Sequence, residues 1–413
     1  MRILIANYRY FISGGPEIYM FNIKKLFENK GHQVVPFSVK YRMNVKTEYD
    51  KYFIEPIGGE DKVYFSEYKM SPKLIIQLIG RSFYSFEAKQ AFYTEIINEK
   101  IDAVYILHHV NKISPSIINA AKKANKKVIV RLSDFFLLCP RFDFLRNGDI
   151  CEACLKGSLF NAIRNKCVQN SFAATTIRTF SMYFHRLIKI YDKVDYFVTP
   201  SNILREKLIE YGFDREKIAH IPTFIDSSNI TPSYQSKDYI LYFGRISKEK
   251  GVEYLIRAFK DIKDKDLKLY IVGHSNDGEI DKLKELVEKE KIKNVIFTGK
   301  KNGEELANLI KDARFVVLPS IWYDNMPNVL LESFCYGKPV IASNIGCFPE
   351  VIDNGKNGLL FEMKNIEDLR DKIDFLNSRP DIIEEYGKNA RKKVENRYNS
   401  ENHYNQLINL LKQ

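Results

Sequence analysis

The chain has 413 residues, 45% of them hydrophobic, and a formal net charge of +12. That length exceeds one ordinary core and predicts about two domains, and the hydrophobic content excludes a disordered chain. The positive balance suits an anionic partner such as a nucleotide, a phospholipid surface or a nucleic acid, although lysine-rich stretches such as "DKLKELVEKEKIKN" read equally as solvated helix faces.

The first elements follow in a regular rhythm. "RILIANY" is an apolar run, "RYFISGGPE" a glycine-containing loop, "IYMFNIKKLFENKGH" an amphipathic helix ending at Gly31, and "QVVPFSV" a second strand. The same alternation returns at "DAVYILHH", "KKVIVRLSD" and "VDYFVTPS", so residues 1–200 predict a parallel sheet flanked by helices. Residues 40–95 are aromatic-rich and give no clear period. "IAHIPTFIDSSNITPSYQSKD" breaks the rhythm, and 201–236 reads as an interdomain segment and linker. Over 237–392 the alternation restarts with "YILYFGR", "LKLYIVG", "NVIFTG", "ARFVVLPS" and "PVIAS", and 393–413 predicts a C-terminal helix, a candidate to cross back to the first domain.

The predicted fold class is therefore α/β: two Rossmann-like, doubly wound domains, with ligands expected in a cleft at the carboxyl ends of their strands. No G-x-G-x-x-G follows a strand, which disfavours a dinucleotide oxidoreductase. No run of 18 apolar residues occurs, so no membrane-spanning helix is expected. "MRILIANYRYF" reads as a buried strand rather than a signal peptide, which predicts a cytoplasmic protein.

The stretch "PSIWYDNMPNVLLESFCYGKPV" sets Asp324 before a helix and Glu332 inside it, among apolar residues. Pro327 suits the helix start, and the free amides of Asn328 and Val329, with the helix dipole, suit a phosphate. The two acids could accept hydrogen bonds from sugar hydroxyls. Equally, Asp324 could cap the helix and Glu332 pair with a lysine. "YFGRISKEKG" brings Arg245 and Lys250 to a strand end, where two cations would neutralise a diphosphate. "SGGPE" adds Gly14 and Gly15, where backbone could approach phosphates closely.

With "SGGPE", "FGRISKEKG", "ARFVVLPSIWYDNMPNVLLESFCYGKPVIAS" and "GCFPEVIDNGKNGLLF" in this order, the chain resembles the retaining glycosyltransferases of family 4, which have the two-domain GT-B fold. The resemblance implies that Arg245 and Lys250 hold the donor diphosphate, Glu332 the ribose hydroxyls, Asp324 the transferred sugar, and the amides around Asn328 and Val329 the phosphates. It implies retention by same-face substitution assisted by the departing phosphate, with no cofactor required for catalysis. The family's E-x7-E is D-x7-E here, one methylene shorter at Asp324. Many relatives carry a His-Asp after the strand matching "KKVIVRLSDFF", where this chain has Ser133 and Asp134; His108 and His109, after the preceding strand, are the alternative catalytic candidates.

Cys139, Cys151, Cys154 and Cys167 form C-x11-C-x2-C-x12-C, which suits a structural zinc site or else buried thiols. Cys335 and Cys347 read as core. The expectation from sequence is a glycosyltransferase moving a sugar from a nucleoside diphosphate sugar to a glycan or lipid-linked acceptor, for cell-surface polysaccharide or glycolipid synthesis. It would work at the inner face of the cell membrane, in peripheral contact with anionic lipid. The rival readings are a basic zinc-containing nucleic-acid-binding protein, which lacks an RNA-binding signature here, a nucleotide-sugar epimerase or phosphorylase of the same fold, and a catalytically dead glycan binder.

Overall fold

The computed structural model describes residues 1–59, 61–63, 67–68 and 71–412. The chain divides into two compact units: unit 1 comprises residues 1–144, 151–221 and 404–413, and unit 2 residues 145–150 and 222–403.

In unit 1, β1 (Arg2–Asn7), β2 (Gln33–Phe37), β3 (Ala103–His108) and β4 (Lys127–Arg131) are short, apolar and almost wholly buried. A two-residue-strand hairpin follows, β5 (Leu145–Arg146) with β6 (Asp149–Ile150), which groups with unit 2. After it come β7 (Tyr196–Thr199) and β8 (Ile218–His220). The six-stranded sheet runs β2-β1-β3-β4-β7-β8, and every pair is parallel. Burial on both faces explains why these strands read as continuous apolar runs rather than alternating ones. β8 is the "IAH" that the sequence suggested as the start of a linker. Three residues beside a proline carry too little pattern to announce a strand, yet pairing with β7 makes them one. Among its described residues the unplaced stretch 40–95 holds the α-helix Pro72–Phe83 and most of the α-helix Phe86–Asn98, each capped by a serine hydroxyl that accepts a backbone N–H.

Unit 2 contains β9 (Tyr239–Phe243), β10 (Lys268–Val272), β11 (Val295–Gly299), β12 (Val316–Leu318), β13 (Val340–Ser343) and β14 (Gly358–Phe361). They form a parallel sheet in the order β11-β10-β9-β12-β13-β14. Side-chain alternation divides its core in two. Ile240, Tyr242 and Val317 face one helical layer, and Tyr239, Leu241, Phe243, Val316 and Leu318 face the other.

The strand orders locate the sites. In unit 2 the winding direction reverses between β9 and β12, and in unit 1 between β1 and β3. At such a switch point the loops leaving the two strands diverge to opposite faces and open a crevice at the carboxyl edge. The loops after β9 and β12 carry Arg245, Lys250 and Asp324; Gly14 ends the loop after β1 and Gly15 opens the helix beyond it, while His108 ends β3 and His109 begins the loop after it.

Candidate active site

Two glycines position the charged groups of unit 2. Gly251 has φ +67°, and a Cβ there would lie 2.0 Å from the Pro319 carbonyl oxygen, so only glycine lets the Lys250 loop press against the loop after β12. The Glu249 carbonyl accepts the Ile321 N–H (2.9 Å) and fastens the same contact. Gly346, at φ +63°, would carry a Cβ 2.8 Å from the Asp324 backbone, and the Asp324 carbonyl accepts the Cys347 N–H (2.9 Å).

Within this frame Asp324 is 5% exposed. One of its carboxylate oxygens accepts from Lys250 Nζ (2.7 Å) and the other from Ser320 Oγ (2.6 Å). The Lys250 ammonium also stands 5.2 Å from the Trp322 ring centre. Sequence reasoning assigned Lys250 to phosphate and Asp324 to sugar, and did not anticipate that the two pair with each other. Nor does Asp324 cap the helix, because Pro327 occupies the cap position and offers no side-chain hydrogen bond. Arg245 is half exposed and bonds Glu249 Oε1 (2.6 Å), four residues on. Exposed as it is, this pair contributes little and holds the guanidinium weakly.

The helix Asn328–Cys335 begins one residue later than expected, with Pro327 as an extended cap (φ −70°, ψ 130°). Met326, immediately before it, has φ +145°, a strained value for a side chain other than glycine and of the kind that gathers at binding sites. Among the described residues, the amides of Asn328 and Val329 take no hydrogen bond. Glu332 lies one turn further in. Burial raises its carboxyl to about 7, and among the described residues its carboxylate has no hydrogen bond or ion pair. The lysine partner considered for it does not exist among the described residues; Lys250 is bound to Asp324 instead. A desolvated acid without a protein partner is costly unless a ligand supplies donors.

In unit 1, Gly14 is extended and Gly15 opens the helix Gly15–Asn29. The anion at this helix start is the protein's own. Glu17 is buried and receives Ser13 Oγ (3.0 Å), with Arg9 Nη1 at 3.5 Å. That carboxylate is already held by Ser13 and Arg9, and it lies beside the Gly14 and Gly15 backbone to which the phosphate contact is assigned.

The two histidines differ sharply. His109 is fully buried, bonded through Nε2 to Tyr191 Oη (3.1 Å) and packed edge-on against Phe136, and burial depresses it to about 3. It is a core residue, and the expectation that it contacts substrate is corrected. His108 closes β3 and has neither ring nitrogen hydrogen-bonded; its Nε2 lies 3.8 Å from Asp134 Oδ2. Burial, with Arg131 and Arg9 nearby, lowers it to about 4, so the ring is neutral at pH 7 and able both to donate and to accept. Burial raises Asp134 to about 6. Ser133 Oγ accepts from Arg131 (2.8 Å), whose guanidinium lies 3.8 Å over the Tyr19 ring. Ser133 is thus engaged in an internal network, and Arg131, Ser320 and Trp322 are the neighbours that motif reading missed. The adjacency in "SIWYD" was the one available signal for the last two.

A sequence profile described as Glycosyltransferase Family 4 matches residues 13–229, and one described as Glycosyl transferases group 1 matches 224–393. The chain belongs to glycosyltransferase family 4. It is a transferase of the GT-B fold. The glycosyltransferase is 26% identical over 294 residues to an uncharacterized glycosyltransferase of Methanocaldococcus jannaschii, covering 64% of this chain and 72% of that one. It is 26% identical over 224 residues to the capsular polysaccharide biosynthesis glycosyltransferase CapM of Staphylococcus aureus (52% and 58%). Among solved structures, sucrose-phosphate synthase from Thermosynechococcus elongatus superimposes with a TM-score of 0.72 at 18% identity, over 100% of this chain and 98% of that one. Anabaena HepE, solved in complex with UDP and glucose, gives 0.67 at 15% identity over 100% and 99%. These matches overturn the nucleic-acid-binding alternative.

The glycosyltransferase's Cys139, Cys151, Cys154 and Cys167 are not joined to one another by disulfides. Cys154 is pushed up to about 12, first by burial and then by the neighbouring Cys139, Cys167 and Cys151. Burial also raises Cys139, against which the backbone N–H groups of Phe144, Arg141 and Phe142 favour the thiolate. Among the described residues, no three ligand-type side chains stand close enough to hold a metal ion. Cys335 and Cys347 are core residues.

Proposed function

We propose that the enzyme transfers a sugar from a nucleoside diphosphate sugar to a glycan or lipid-linked acceptor with retention of anomeric configuration, at the cytoplasmic face of a membrane. The observation that carries this reading is Glu332, a half-buried carboxyl without a protein partner among the described residues, one turn behind two free helix amides. Ribose hydroxyls would satisfy the acid, while the amides, Arg245 and Lys250 take the diphosphate. In the reaction the anomeric carbon–oxygen bond to the diphosphate breaks as the acceptor oxygen bonds to the same face of that carbon. The acceptor's hydroxyl proton passes to the departing phosphate oxygen. No side chain then acts as nucleophile, and positioning with charge stabilisation supplies the rate. Neutral His108 is suited to orient a hydroxyl in this scheme.

Thermal unfolding with UDP, GDP and ADP tests the donor assignment. A matching diphosphate at about 100 times its Kd adds about 2.7 kcal/mol to stability and raises Tm, whereas the bare nucleoside does little. A flat response to all three diphosphates would overturn the donor reading.

We further propose that Cys139, Cys151, Cys154 and Cys167 draw together on one structural zinc. The C-x2-C spacing and the amide donors around Cys139 support this, and the four thiols would have to close in on the ion, since among the described residues no three stand within ligand range of one another. Untagged protein should carry about one zinc per chain. Metal-free, fully folded protein with all four thiols titrating freely would exclude it.

A further inference from the structure

One segment of unit 1 is not used by the donor chemistry. Residues 153–191 contain no aspartate or glutamate and six cations: Lys156, Arg164, Lys166, Arg178, Arg186 and Lys189. Arg178 is buried, and the other five are exposed. The same segment exposes Phe160, Phe172, Phe180 and Leu187, the last at 81%.

The apolar groups share a face. In the helix Phe172–Leu187, Phe172, Phe180 and Leu187 are spaced by eight and then seven residues, within one quadrant at 100° per residue. Phe160 joins them from the start of the short preceding helix Phe160–Arg164, its ring 6.1 Å from Phe180 and 5.4 Å from Tyr183. The helix Pro72–Phe83 packs beside this one, with Phe83 on Phe184 (5.6 Å), and exposes Ile76 at 71%. Isolated exposed apolar residues need no explanation, but an aligned set on an acid-free cationic segment does.

We propose that this face docks the enzyme on an anionic bilayer, with the helix Phe172–Leu187 lying in the plane of the interface. The three aromatic rings and Leu187 would enter the headgroup–acyl boundary, while Arg164, Lys166, Arg186 and Lys189 meet lipid phosphates. Charge complementarity selects the occupant. Without a single acid the segment has nothing to offer a cationic partner. Its apolar side chains lie along about 22 Å of helix, a length suited to a flat surface. Among the described residues no helix is long and apolar enough to cross a membrane, so attachment here is peripheral.

The test uses the full chain without donor or acceptor, so it stands apart from the transferase reading. Vesicles of phosphatidylcholine alone are compared with vesicles containing about one-third phosphatidylglycerol. The wild type is expected to sediment with the anionic vesicles and to be released by salt. Charge reversal with Lys166→Glu and Arg186→Glu should lower partitioning more than about tenfold, and so should Phe172→Ser with Phe180→Ser. Unchanged unfolding temperature and nucleotide-induced shift show that the variants are folded. Equal binding to both vesicle types, or variants that bind like the wild type, overturns the proposal. So does a wild-type dimer that the phenylalanine variants convert to monomer, since the face would then be covered by a second copy.

Discussion

Lys250→Ala is expected to lower nucleoside diphosphate affinity about ten- to a hundredfold and also to destabilise the ligand-free enzyme. The second effect follows from geometry. The Lys250–Asp324 pair spans 2.7 Å with both side chains largely buried, and removing one partner leaves a desolvated charge, at a cost of about 3–5 kcal/mol. Asp324→Asn should behave differently. Lys250 no longer has to leave a carboxylate to reach phosphate, so the bare diphosphate should bind several-fold more tightly. Turnover of the sugar donor should nevertheless fall about ten- to a hundredfold, because the acid assigned to the sugar is gone. The double variant should regain part of the stability lost in Lys250→Ala but none of its diphosphate affinity. Calorimetry with the diphosphate, denaturant unfolding and donor kinetics on the three variants separate these effects. If Asp324→Asn weakens the diphosphate as much as Lys250→Ala does, the pair is a fixed structural element rather than a switch that the donor opens.

That coupling shows where the sequence stops being legible. Local pattern sufficed for the sheets, because buried parallel strands are continuous apolar runs and the helices between them keep their period. It also singled out Arg245, Lys250, Asn328, Val329 and Glu332, which the structure sets in the loop after β9 and in the helix that follows the loop after β12. It could not show that Lys250 and Asp324, 74 positions apart, share a hydrogen bond, since that depends on Gly251 and Gly346 letting two loops touch. His108 and His109 look alike in sequence. One closes the strand with unbonded nitrogens, whereas the other turns into a cage of Phe136 and Tyr191 that comes from distant segments. Nothing local in "SGGPE" says that Glu17 folds back to its own helix start beside Gly14, where Ser13 and Arg9 hold it. The region 40–95 resisted reading for a related reason. Ile75, Ile76 and Ile79 are partly or largely exposed, so apolar content there does not track burial.

Glu332→Gln should abolish most donor binding while leaving the ligand-free enzyme more stable at alkaline pH. The folded-state carboxyl sits at about 7 against an ordinary value of 4.5, and burial is the cause. Below 4.5 the group is protonated in both states and contributes no difference. Between 4.5 and about 7 the unfolded chain releases its proton first, so the folded state binds more protons and stability falls as pH rises. Above about 7 the loss is complete, at most about 3 kcal/mol. Glutamine is neutral throughout and removes this slope, so the variant's unfolding free energy should overtake the wild type's between pH 6 and 8. Donor binding has the opposite sign. Ribose hydroxyls donate to the ionised acid, so below pH 7 the wild type must release a proton to bind, and its affinity should rise up to about tenfold per pH unit as pH approaches 7. The diphosphate titrates in the same range in solution, and the glutamine variant supplies the control, since it keeps that contribution and loses the acid's. Unfolding and calorimetry across pH 6–8, on both proteins, measure both slopes. If the two proteins show the same pH dependence of stability and of affinity, Glu332 is not the ionising group that receives the ribose.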